Sequence, residues 1–302
     1  LVADDYVAPI HNGSEKNDVK QRAFIALLNA RLEDGEFSFE DGFKLQRWPK
    51  EPPRMPLLQG YPAPVPDPAA LCYERSGTGL LCFDREFLAN ARLLLALIEL
   101  RARCRLWFSF VLAEAEDLKP SDGRFFLAAQ TVLPNYGDLD NYPDPEICLY
   151  RDELEAVARV RPALTQESKA ARTAGIAVRR WASCRERLDD QDAVLDAWIG
   201  LEGIYLRRDD TKRELVSRRI ACYVTKDVTG KSRESASDVV AKKAYAWAFD
   251  AYGVRSKIIH GNSVDPAAAR EARWHSESLL ARTLLPLLFD DELKHFNPKK
   301  LV

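Results

Sequence analysis

Two side chains suited to proton transfer and anion binding lie five residues apart in the segment YGVRSKIIHG, Tyr252 to Gly261: Arg255 and His260, an R-x4-H pair. Imidazole titrates near neutral pH and serves as acid or base. A guanidinium stays charged and binds phosphate through two parallel hydrogen bonds. The pair therefore offers a proton-transfer group beside a fixed cation. Spacing alone carries little, because 29 Arg and four His in 302 residues give about 0.4 such pairs by chance. A second pair, Arg270 and His275, is read as the accidental one. The plain alternative for His260 is a structural histidine hydrogen-bonded at a helix end.

The elements that must position the pair are helical. Val239 to His260 reads as one long helix, with Val240, Ala244, Trp247, Ala251, Val254 and Ile258 on one stripe. Tyr245, Phe249, Tyr252, Ser256 and His260 form a second, roughly opposite stripe. Two occupied faces mean a central helix or one covered by a partner. We therefore expect a two-fold dimer burying part of that stripe, with a helix of the same chain as the rival cover. Gly261 is a natural terminator. Asp265 as N-cap and Pro266 at the first helical position begin a last helix to about Phe289, bent at Pro286. Further helices are expected over Arg179–Leu188, Ala193–Leu206 (stripe Val194, Trp198, Leu201, Tyr205) and Glu214–Val224. Trp181, Trp198, Trp247 and Trp274 read as core, and His275 and His295 as surface residues.

WIGLEGIY (Trp198 to Tyr205), the basic helix ELVSRRIAC (Glu214 to Cys222) and YGVRSKIIHG, in that order, resemble the Apea-type HEPN domain. The resemblance covers about Arg172 to Phe289. It implies a nucleotide-binding helical bundle of the kind found in prokaryotic anti-phage defence and toxin systems. It also implies a metal-independent endoribonuclease built on a homodimer, with Arg255 and His260 in the active site and no cofactor. Ser256 matches the polar residue that usually follows the Arg. The residue types fit that chemistry: a base removes the 2′-hydroxyl proton, an acid protonates the leaving 5′-oxygen, and a cation stabilises the phosphoryl oxygens. One R-x4-H supplies one imidazole, so two copies meeting at a two-fold axis would complete the set. The other reading is a non-catalytic HEPN module for dimerisation or for nucleotide or RNA sensing in a defence assembly, with a protein partner or inhibitor.

Glu202, in an otherwise apolar stretch, either orients Arg255 or His260 or lies on a solvated helix face. The basic pairs Arg207-Arg208, Arg218-Arg219 and Lys242-Lys243 either contact RNA phosphates or form exposed faces. The expected architecture is mainly α, with residues 166–302 a HEPN-like bundle and residues 1–165 a mostly helical region of unassigned fold and role. In that region Lys20 to Leu32 carries Phe24, Leu27, Leu28 and Leu32 at helical spacing, and Arg85 to Arg101 is an apolar helix. CRLWFSFVLAEAEDL either continues that helix or forms a buried strand. Eight of the 17 prolines lie in a linker over residues 49–68, and Asn135 to Pro145 is a loop by its turn residues.

Composition narrows the classes. Forty-four basic against 46 acidic residues exclude a uniformly basic nucleic-acid coat. Apolar runs such as Leu93 to Ile98 are far short of the ~20 residues that span a bilayer, and no leader pattern is visible, so no membrane partner is expected. Six scattered cysteines and four histidines show no zinc spacing. The expectation is a cytoplasmic protein with reduced thiols and no metal.

Overall fold

The computed structural model describes residues 19–27, 29–48, 68–77, 85–106, 108–115, 126–129, 146–164, 168–206, 213–225 and 234–290. The N-terminal part is built on strands, which corrects the expectation of a mostly helical region. β1 (Val19–Leu27) lies between β5 (Ala69–Gly77) and β6 (Phe108–Ala115), antiparallel to both, with Phe24 opposite Cys72 on one side and Leu112 on the other. β4 (Phe43–Arg47) extends the sheet from β5, β3 (Glu36–Ser38) from β4, and β7 (Phe126–Ala129) from β6, giving the order β3-β4-β5-β1-β6-β7. β2 (Ala30–Leu32) pairs in parallel with β8 (Ile147–Leu149) in a second, two-stranded sheet.

The helical spacing over Lys20–Leu32 misleads for a physical reason. Ala23 to Leu27 are all buried. A central strand covered on both faces shows an unbroken apolar run, and such a run satisfies a helical stripe as readily as a strand. The segment after Cys104, left open between helix and strand, is strand over β6. Leu28, the linker over residues 49–67, the loop Asn135–Pro145, Arg207, Arg208 and His295 lie outside the described residues.

α1 (Arg85–Ala102) forms as expected and buries Leu93 to Leu100 continuously. It ends on Arg103 at φ 51°, with the Cys104 amide donating to the Glu99 carbonyl at 3.1 Å. α2 (Arg151–Leu164) sends Arg161 over the Phe43 ring at 4.7 Å and to Asp41 at 2.6 Å. α1 also packs on α2 and α3 (Lys169–Glu186).

From residue 168 onward only helices occur among the described residues: α3, α4 (Asp190–Tyr205), α5 (Arg213–Val224), α6 (Glu234–Ile259) and α7 (Pro266–Phe289). α4 packs on α3 and α7, and α6 on α5 and α7. Ser168, Asp189 and Asp265 cap α3, α4 and α7 by accepting amide hydrogen bonds of the first turn. Val194, Trp198, Leu201 and Tyr205 are fully buried, as their spacing predicts. The α6 stripe is split. Ala244, Ala248 and Ala251 form the buried ridge, while Val240, Trp247, Val254 and Ile258 flank it half-buried. Small side chains let helix backbones approach, and the larger ones then splay to both sides. Two further corrections fall on α7: Trp274 is 57% exposed and is not core, and His275 is buried.

The expected boundary between residues 165 and 166 falls between α2 and α3. Buried residues from Ala23 to Leu288 form one contiguous cluster across it. Glu99 of α1 accepts the Leu106 amide at 2.7 Å and faces Arg185 of α3 at 3.3 Å, which also meets Glu277 of α7 at 3.3 Å. Burial holds the Glu99 carboxyl above its usual range despite Arg185. Among the described residues no helix is long and apolar enough to cross a membrane.

Candidate active site at the end of α6

α6 runs unbroken through Gly253 and closes on a Schellman turn. Gly261 takes φ 70°, its amide donates to the Ile258 carbonyl at 3.0 Å, and the Asn262 amide donates to Lys257 at 2.9 Å. A side chain at that φ would cost roughly 1–2 kcal/mol, which is why glycine stops the helix there. His260 occupies the position just before it. Its own amide donates to Ser256 at 3.1 Å, its side chain is exposed, and the imidazole meets no hydrogen-bond partner among the described residues.

Arg255 is held firmly. Its Nη2 lies 2.8 Å from Glu202 Oε2, with the two side chains 22% and 21% exposed. The guanidinium stands over the Tyr252 ring at 5.3 Å, and Tyr252 meets Trp198 edge-to-face at 5.0 Å. Trp198 and Glu202 are four apart on α4, and Tyr252 and Arg255 three apart on α6. One turn of each helix thus supplies both halves of the contact. Burial pushes the Glu202 carboxyl up, against the opposing pull of Arg255. Glu202 thus meets Arg255 across the two helices and does not lie on a fully solvated face.

Five residues along an α-helix advance about 7.5 Å and turn about 140°. Arg255 accordingly faces α4, while His260 continues the line of Ser256 and Lys257, one turn beyond them. Along that line lies an open cleft of about 580 Å³, lined by Arg213, Asp250, Tyr252, Gly253, Val254, Ser256 and Lys257. Its volume falls within the ~300–1,000 Å³ of small-ligand sites. Arg213 crosses from α5: its Nε donates to the Phe249 carbonyl at 2.6 Å and its guanidinium covers the Phe249 ring at 3.5 Å. A Cβ at Gly253 would stand 2.7 Å from Arg213 Nη2, so the bare helix surface there makes room for the guanidinium. Two cations, two hydroxyls and the Asp250 carboxylate thus surround the cleft, with Arg213 Nη2 3.8 Å from Asp250 Oδ1 and Lys257 exposed beside them.

Sequence reasoning missed Arg213 and Lys257. Lys257 stands inside the motif segment and only its charge marked it. Arg213 had no local signal, since Gly253, its counterpart, lies forty residues away. The proposed RNA contacts divide. Arg219 is buried and donates to the Tyr205 carbonyl at 2.8 Å, so it is directed inward and is no phosphate contact. Exposed Arg218 pairs with Glu214 at 2.5 Å. Lys242 and Lys243 are exposed, and Lys243 Nζ stands 4.9 Å from the Trp247 ring centroid. The second stripe of α6 is half-covered within the chain, by Trp198 on Tyr252 and Arg213 on Phe249; Tyr245 and Phe249 stack on each other at 5.7 Å. Among the described residues no group of three His, Cys, Asp or Glu side chains is placed to hold a metal ion. Comparison of the chain with protein-family models, with curated proteins and with solved structures gives no match.

Proposed function

We propose that this chain is a metal-independent endoribonuclease of HEPN type, acting in a defence or toxin system as a two-fold homodimer. The observation that carries the reading is the Glu202–Arg255 ion pair at 2.8 Å on the same helix that ends in His260, an exposed imidazole with no hydrogen-bond partner among the described residues, one turn beyond the cleft residues Ser256 and Lys257. His260 removes the proton of the 2′-hydroxyl; the 2′-oxygen attacks phosphorus, and the bond to the 5′-oxygen breaks. The leaving oxygen takes its proton from the second imidazole, which the partner copy supplies across the half-covered stripe Tyr245, Phe249, Tyr252 and Ser256. Arg255, positioned by Glu202, together with Arg213 and Lys257, balances charge on the phosphoryl oxygens.

One feature favours the second reading, a non-catalytic module for dimerisation or nucleotide sensing. Arg255 turns about 140° away from His260 on the same helix and already shares its charge with Glu202. Purified full-length protein incubated with single-stranded RNA in EDTA, wild type beside His260→Ala, separates the two. Cleavage by wild type alone supports the nuclease; an intact substrate in both supports the module. Light scattering at micromolar concentration checks the dimer in the same samples, and a strict monomer would remove the second imidazole from the scheme.

A further inference from the structure

Outside this site, the seam between α6 and α7 carries an aromatic cluster. Trp247 and His275 stack face to face, with ring centroids 4.7 Å apart and planes 23° off parallel. Trp274 meets Trp247 edge-on at 5.1 Å and His275 at 5.1 Å. Trp274 is nevertheless 57% exposed, so the outer ring of the cluster is open to a ligand. Two exposed cations flank the cluster from both helices: Lys243 Nζ at 4.9 Å and the Arg282 guanidinium at 5.9 Å from the Trp247 ring. Asp250 and Glu271 act on His275 from the other end, and Lys243 opposes them. The seam is therefore polarised, with a cationic end, an aromatic body whose outermost ring is open, and an acidic end.

The geometry points to a binding platform for single-stranded nucleic acid, in which an unpaired base stacks on Trp274 and the adjoining phosphates contact Lys243 and Arg282. The free ring face is matched by any base, and the two cations match the backbone that must run beside a stacked base. Trp247 is about 20 Å along α6 from His260, thirteen residues at 1.5 Å each. The platform is thus a second contact for the strand, remote from the Arg255/His260 site. Only the identity of the strand as RNA rests on the ribonuclease reading. The stacking itself accepts single-stranded DNA.

The test reads binding, not cleavage. Fluorescence anisotropy is measured with a labelled twelve-nucleotide RNA, the same DNA sequence and the corresponding duplex, all on full-length His260→Ala protein. Both single strands should bind more tightly than the duplex. Trp274→Ala should weaken single-strand binding about 5- to 150-fold, the range for losing one stacked base, and Trp274→Phe should retain most of it. Lys243→Ala with Arg282→Ala should make the dependence of log K on log salt shallower by about 1.4, at ~0.7 per phosphate. Duplex binding equal to single-strand binding, or single-strand binding unchanged in Trp274→Ala, overturns the platform. So does a change of oligomeric state in Trp274→Ala without a change in RNA affinity, which would make the seam a protein interface. Wild type that binds RNA through Trp274 without cutting it would defeat the ribonuclease reading and leave the platform standing.

Discussion

The chain holds two R-x4-H pairs, and they have opposite surroundings. Arg255 is half-buried on Glu202, and His260 stands free in the turn that ends α6. Arg270 is 82% exposed with its nearest carboxylate, Asp190, at 3.8 Å, and His275 lies mid-helix, buried under Trp247. In the first pair the cation is fixed and the imidazole accessible; in the second the reverse holds. Identical spacing thus yields one arrangement able to meet a substrate and one that consumes its imidazole in packing. The difference comes from a helix end: Gly261 terminates α6 right after His260, whereas α7 continues fourteen residues beyond His275.

The largest expected effect breaks the comparison on activity. His260→Ala should lower RNA cleavage by about 10²–10⁴-fold, the usual cost of losing a placed proton-transfer group, with an unchanged thermal melt because the side chain is exposed. Arg270→Ala should cleave at the wild-type rate, and equal losses in both variants would erase the distinction. Next in size, Glu202→Ala should destabilise the fold by about 1–3 kcal/mol in urea, by leaving Arg255 half-buried without its carboxylate. Arg255→Lys should fail to restore activity, since an ammonium cannot reproduce the guanidinium geometry.

The pairs should also differ in their response to pH. Desolvation holds the His275 imidazole below its ordinary 6.5, with Asp250 and Glu271 opposing and Lys243 assisting. The unfolded chain then binds more protons than the folded one between the folded value and 6.5. Stability should therefore be lost as pH falls through that window. Glu202 has the other sign: its raised carboxyl makes stability fall as pH rises from 4.5 through the folded value. Urea midpoints across pH 7 to 5 should decline less in His275→Phe than in wild type, and superimposable profiles would contradict the buried stack. The smallest effect concerns the helix ends. Arg103 ends α1 at φ 51° in the same turn that Gly261 provides for α6. Arg103→Gly should stabilise by about 1 kcal/mol and Gly261→Ala should destabilise by a similar amount; urea denaturation reads both.

What was legible in the sequence follows from how local each signal is. The end of α6 at Gly261, the Asp265-Pro266 start of α7 and the α4 stripe through Trp198 and Tyr205 depend on a few neighbouring residues, and they form as read. β1 depends on β5 and β6, whose residues opposite Phe24, Cys72 and Leu112, lie 48 and 88 positions further along the chain, and its apolar run from Ala23 to Leu27 carries no period to reveal them. Trp274 reads as core by residue type alone, because only the crossing of α6 shows which ring of the pair Trp247 and Trp274 is left outside. At the site, Arg255, His260 and Glu202 were visible as motif and as an isolated charge among apolar residues. Arg213 was not, since its place depends on the missing side chain at Gly253 in another helix.

The contrast between the two pairs rests on His260 acting chemically, and the ends of the cleaved RNA report on that directly. Wild-type protein and a single-stranded RNA in EDTA, with products identified by mass spectrometry, should give 2′,3′-cyclic phosphate and 5′-hydroxyl termini, because the attacking oxygen belongs to the substrate; the all-deoxy strand should remain whole. Products ending in 5′-phosphate, cleavage of the deoxy strand, or activity that appears only with Mg²⁺ would contradict the assignment of proton transfer to His260.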